Sequence, residues 1–103
     1  MTRREERRKR VIALCEEMVH FMGELDMREA QKYYRKQADA LRSENTYFGR
    51  RRRYRDIFLA SNSGAGGLGD AYITRPDGTG DVPATNAFRD CLSRLLKATY
   101  TIP

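Results

Sequence analysis

One histidine and two cysteines among 103 residues leave little material for metal or redox chemistry. Cys15, Cys91 and His20 together cannot supply the four protein ligands of a zinc site, so no metal and no other cofactor is expected. Both cysteines fall on the apolar side of a helical pattern, which reads as two buried free thiols. Long apolar runs are also missing: none approaches the roughly 18 residues that cross a bilayer. The opening MTRREERRKR has neither the apolar region nor the small-residue cleavage site of a secretion signal. A cytoplasmic protein that does not enter membranes is the expectation. Apolar residues make up 40% and charged residues 33%, so the core is thin and the surface heavily charged. A chain of this length holds one modest core, and residues 1–103 read as a single domain with no internal repeat.

The same shortages thin out catalysis. Glu17-x-x-His20 has the spacing of half a ferritin-like carboxylate–histidine motif, but the other half needs a second histidine. His20 also lies on the charged face of its helix, with Glu16 and Glu24 four residues away on either side favouring its charged form. Ser61, Ser63, Asp70, Asp77 and Asp81 put hydroxyls and carboxylates in loops, with no histidine or lysine close by to activate a nucleophile. No catalytic residue is assigned.

What the chain does have is helical periodicity. Val11, Ile12, Leu14, Cys15, Met18, Val19, Phe21, Met22 and Leu25 recur at helix spacing, and this first helix ends near Gly23 to Leu25. Residues 3–10, polar all round, read as its basic, frayed extension. Asp26 with Glu29 resembles a capping box, and a second helix follows to about Ser43 with Met27, Ala30, Tyr34, Ala38 and Leu41 inward. The short link makes the pair an antiparallel hairpin. Asn45 or Thr46 caps a third helix to about Ala60, with Tyr47, Tyr54, Ile57 and Phe58 as its buried side. Residues 61–85 form a turn and loop region containing a short extended stretch, Ala71 to Thr74, that lacks an obvious partner. Thr85 or Asn86 caps a last helix with Phe88, Cys91, Leu92, Leu95 and Leu96 inward, and Tyr100 and Ile102 carry it to the terminus. The expected fold is a mostly α, four-helix bundle.

Charge is unevenly spread. Residues 1–55 carry 16 basic against 9 acidic side chains, residues 56–103 carry 4 against 5, and 16 of the 20 basic residues are arginine. Arginine makes forked contacts to carboxylate and phosphate, which points to an acidic protein surface or a polyanion. Arg28, Lys32, Arg35 and Arg42 form a basic stripe on the second helix. Arg50 to Arg53 are expected to face solvent or a partner, with Arg50 and Arg53 sharing a face. The partner-binding set is therefore Arg28, Lys32, Arg35, Arg50, Arg51 and Arg53. Tyr47, Phe48 and Tyr54 could stack on unpaired bases, but no recognition helix or RNA-binding signature accompanies them.

Four of the eight glycines fall between positions 64 and 69. Gly64-Ala65-Gly66-Gly67-Leu68-Gly69 satisfies G-x-G-x-x-G, yet that fingerprint works between a strand and a helix, and here it follows a helix and precedes an extended segment. Gly64, Gly66, Gly69 and Asp70 read instead as a structural turn, with positive φ expected at Gly66 or Gly69 and Asp70 accepting from the turn's own amides. Positions 63–73, SGAGGLGDAYI, resemble a motif that runs approximately GGMGSLNDVYI in a family of small uncharacterised bacterial helical proteins. Gly64, Gly66, Leu68, Asp70, Tyr72 and Ile73 match, while Ala65, Gly67 and Gly69 replace methionine, serine and asparagine. The likeness spans roughly residues 25–100, with Arg55 to Leu59 and Asn86 to Asp90 where that family has helices. It implies a small helical domain and carries no activity. The function expected is non-enzymatic protein binding, as a bacterial or phage immunity protein, an inhibitor of a toxin or defence system, or a small regulatory subunit. The alternative is a nucleic-acid-binding accessory protein using the same arginines.

Overall fold

The computed structural model describes residues 2–62 and 68–101. Helix α1 runs Arg3–Glu24. Its basic opening is ordered, contrary to the expected fraying: Thr2 Oγ1 accepts from the Glu5 amide at 3.2 Å, and Glu5 and Glu6 place negative charge at the positive end of the helix. Longer-range bonds from Arg7 and Arg8, described below, hold these turns.

Asp26 closes α1 and does not open the next helix. It adopts φ 55°, its amide donates to Gly23 O at 3.1 Å, and the Met27 amide donates to Met22 O at 2.9 Å. Those two bonds and the left-handed residue between them make a Schellman stop, with aspartate where glycine is usual. A cap at the start of a helix needs an extended backbone, so the same residue cannot begin α2. Helix α2, Arg28–Ser43, starts at Met27 without a side-chain cap. Gln31 Nε2 donates back to Val19 O at 3.0 Å and ties the hairpin together.

Helix α3, Tyr47–Ser61, is capped by Thr46, whose Oγ1 accepts from Gly49 N at 3.0 Å. Glu44 sits beneath this cap and accepts from both the amide and hydroxyl of Thr46, at 3.1 and 2.7 Å. Tyr54, Ile57 and Ser61 form its buried side, and a buried bond of 2.7 Å between Tyr34 Oη and Ser61 Oγ joins α3 to α2. Tyr47, expected in the core, is 43% exposed, because the first residue of α3 lies past the end of the apolar face it was assigned to. Phe58 is half-buried, with its ring against Tyr100.

Leu68–Asp70 forms a single 3-10 turn with Leu68 buried and Gly69 and Asp70 exposed. Gly69 is not in the left-handed region, and beyond its two chain neighbours no atom of another residue lies within 4 Å of where its Cβ would stand. Among the described residues the left-handed glycine is Gly78, at φ 88°. The expected turn residues Gly64 and Gly66 lie outside the described residues. The extended stretch does find a partner: Thr74 bridges Gly80 across a tight turn, with Arg75 N donating to Thr79 O at 2.7 Å and Asp81 N to Ile73 O at 2.8 Å. Ile73 is buried, and its amide donates to Thr85 Oγ1 at 3.1 Å.

Helix α4 is Val82–Thr99. Asp81 caps it through Ala84 N at 3.1 Å, with Pro83 in the first turn where no amide is needed. It therefore begins three residues before Thr85, whose hydroxyl is spent on Ile73. Thr99 ends the helix and Tyr100 is its C-cap; Ile102 lies outside the described residues. The core joins Val11, Leu14, Cys15, Met18 and Met22 of α1 to Tyr34, Ala38 and Leu41, to Tyr54 and Ile57, and to Phe88, Cys91, Leu92 and Leu95. At 78% helix with no named strand among the described residues, this is a small all-α domain.

Candidate binding surface

At one end of the molecule the N-terminal turns of α1 cross the start of α3, and side chains from both helices enclose a cleft of about 140 Å³. Its lining is Arg4, Arg7, Asn45, Tyr47, Arg50, Arg51 and Tyr54. Helix spacing explains the convergence. Arg4 and Arg7 continue the inward stripe of Val11, Leu14 and Met18 backwards by three- and four-residue steps. Arg50 precedes Tyr54 and Ile57 in the same way.

Each guanidinium is held differently. Arg7 lies over the Tyr54 ring at 4.3 Å, with Nε donating to Ala98 O at 2.9 Å and Nη2 to Tyr100 O at 3.2 Å. It is a clamp between α1, α3 and the end of α4. Arg50 donates through Nε to Glu44 O at 2.8 Å and through Nη1 to Glu5 Oε1 at 2.7 Å. Its side chain is only 16% exposed, so the expectation that Arg50 faces solvent is corrected. Arg8 completes this knot, donating to the second Glu5 oxygen at 2.7 Å and to Leu41 O at 3.2 Å. Hydrogen bonds from Arg8 and then Arg50 hold the Glu5 carboxyl below its ordinary value. Arg4 is exposed and lies over the Tyr47 ring at 4.5 Å. Arg51 Nη1 donates to Tyr47 Oη at 3.2 Å, and that bond lowers the phenol's pKa. Phe48 stands beside the cleft, 78% exposed, with its ring edge-on to Tyr47.

The other expected binding residues are elsewhere. Arg28 and Lys32 project from the outer face of α2, 3.8 Å from Asp26 and 3.6 Å from Glu29. Arg35 is exposed on the same helix, beside Lys36. Arg42 is bound by Asp39 at 2.6 Å and by Glu16. Arg53 is half-buried. Thus Arg50 and Arg51 meet Arg4 and Arg7, which were not singled out individually, while Arg28, Lys32 and Arg35 form a separate stripe.

Among the described residues no group of three or more histidine, cysteine or carboxylate side chains could hold a metal ion. Cys15 and Cys91 are buried and free, and burial pushes both thiols up to about 12. His20 lies 3.8 Å from Glu24 on the surface; Glu16, its other expected neighbour, is turned towards Arg42. No helix among the described residues is long and apolar enough to cross a membrane. Comparison with family models, curated proteins and solved structures finds no match.

Proposed function

We propose that the protein is a non-enzymatic binding protein that docks an acidic protein surface through the α1–α3 end. Immunity protein, inhibitor of a toxin or defence system, and small regulatory subunit in a bacterial or phage-infected cytoplasm are the roles that fit. The observation that carries the reading is the company the arginines keep. Exposed Tyr47 and Phe48 sit directly beside Arg4 and Arg51. Arginine and aromatic side chains are the residues enriched at the energetic centres of protein interfaces, and Lys is depleted there. Stacking on Tyr47 and Tyr54 also orders Arg4 and Arg7 beforehand, which reduces the entropy lost on docking. The two thiols, with pKa values pushed up to about 12, are poor nucleophiles at neutral pH.

The test is capture from cell extract, with the wild-type chain and the double variant Arg4→Glu/Phe48→Ala as parallel baits. Retention of an acidic protein by the wild type alone supports the reading. Retention of nucleic acid that is released steeply by salt favours the alternative, since phosphate contacts give a linear fall of log affinity with log salt. Retention of the same protein by both baits moves the interface away from this end.

A further inference from the structure

Resting on that reading, we propose that the cleft between α1 and α3 is a receptor for a phosphate monoester carried on a side chain of the protein partner. The cleft's volume of about 140 Å³ is well above the roughly 10–15 Å³ that a single water needs, so a tetrahedral oxyanion fits. Its charge is set chiefly by Arg4 and Arg7. Arg7 uses two of its five N–H groups on carbonyl oxygens and stacks on Tyr54, and Arg4 stacks on Tyr47. Neither arrangement neutralises a guanidinium: carbonyls and rings orient the cation and leave its charge in place. Arg50, by contrast, is matched by Glu5, and serves as a wall rather than as the recognising charge.

Three features favour a monoester over other anions. A phosphate on a side chain carries about −1.5 to −2 charges and three strong acceptor oxygens, against one charge on a carboxylate, and so answers two guanidinium forks at once. The site is a small recess bounded by two rings. A nucleic-acid strand needs instead an extended basic groove that follows successive phosphodiesters. Finally, Asn45, Tyr47 and Tyr54 place an amide and two phenols in the lining, which supply directional polar contacts around the anion.

The experiment is amide NMR of the wild-type chain titrated with inorganic phosphate at constant ionic strength, then with a phosphoserine peptide and its serine parent. Saturable shifts should be confined to residues 4–8 and 45–54. The phosphopeptide should bind at least about tenfold tighter than free phosphate, and the serine parent should not bind. The variant Arg4→Gln should lose about tenfold or more in affinity. Lys36→Gln, which removes equal charge from α2, should stay within about twofold. Equal losses in the two variants, or acetate binding as tightly as phosphate, would reduce the effect to general charge and overturn the site. A phosphopeptide no tighter than free phosphate would overturn its assignment to a side chain. An unmodified single-stranded oligonucleotide binding as tightly as the phosphopeptide would overturn the monoester in favour of a phosphodiester. Failure of both phosphate and phosphopeptide to bind would overturn the site and leave the acidic-partner reading intact, because that reading stands or falls with the capture experiment.

Discussion

Two basic regions of this molecule have similar numbers of cationic side chains and use them in opposite ways. On α2, Arg28 pairs with Asp26 of the preceding link, Lys32 and Arg42 pair with carboxylates of their own or the neighbouring helix, and Arg35 and Lys36 stand exposed. At the α1–α3 end, the guanidiniums of Arg7, Arg8 and Arg50 reach backbone carbonyls of other segments, and Arg4 and Arg7 lie on tyrosine rings. The first region is a solvated face. In the second, the side chains that hold the helices together also line the cleft. What separates them is the neighbours: α2 offers acids and open solvent, whereas the α1–α3 end adds to the one acid Glu5 the aromatic rings and helix-end carbonyls that reach across segments.

Charge reversal should expose that difference most strongly at Arg50. Arg50→Glu faces Glu5 with a like charge and leaves the Glu44 carbonyl without its donor, costing roughly 2 kcal/mol, or about 10 °C in Tm for a domain of this size. Thermal unfolding followed by circular dichroism measures it. The double exchange Glu5→Arg/Arg50→Glu should recover part of the loss, and no recovery would mean that the pair does not hold the end together.

A smaller effect should appear with pH. Glu5 is held below its ordinary value in the folded chain, so its contribution is present above about pH 4.3 and disappears as pH falls through the folded-state value. Glu5→Gln should lower Tm at pH 7 and flatten the acid limb of a Tm–pH profile below about pH 5. An acid limb identical to the wild type's would break the comparison at this residue.

Smallest of all should be the α2 stripe. Arg35→Glu and Lys36→Glu should each change stability by no more than about 0.5 kcal/mol in the same melts, since exposed charges contribute little. A loss matching that of Arg50→Glu would make the stripe structural too.

Four helices and most of their inward faces were legible in the sequence because Val11 to Met22, Tyr34 to Leu41 and Phe88 to Leu95 keep one period throughout. The ends were harder to read. Asp26 has the composition of a cap and closes α1 instead, a choice made by one backbone angle that no spacing reveals. Asp81 displaced Thr85 as the cap of α4 because Thr85 is needed by Ile73, a contact twelve residues back in the chain. Arg7 read as part of a basic, frayed extension and Arg50 as facing solvent or a partner, because charge was given more weight than position. Each in fact occupies the next step of an apolar stripe, where a long side chain can bury its stem and still place its head on a carbonyl. Extending the stripes through the arginines would have found both. It would not have shown that Arg4, Arg7, Arg50 and Arg51 share a cleft, which depends on how α1 and α3 cross.

The central claim is that the α1–α3 end, and not the basic face of α2, is the surface that engages an acidic protein partner. The most direct measurement is the affinity of the purified partner for wild type, Arg4→Glu and Lys36→Glu under identical salt, by titration calorimetry. Placing like charge at the interface should weaken binding about a hundredfold for Arg4→Glu and less than about threefold for Lys36→Glu. Equal losses in the two variants, or a larger loss for Lys36→Glu, would contradict it.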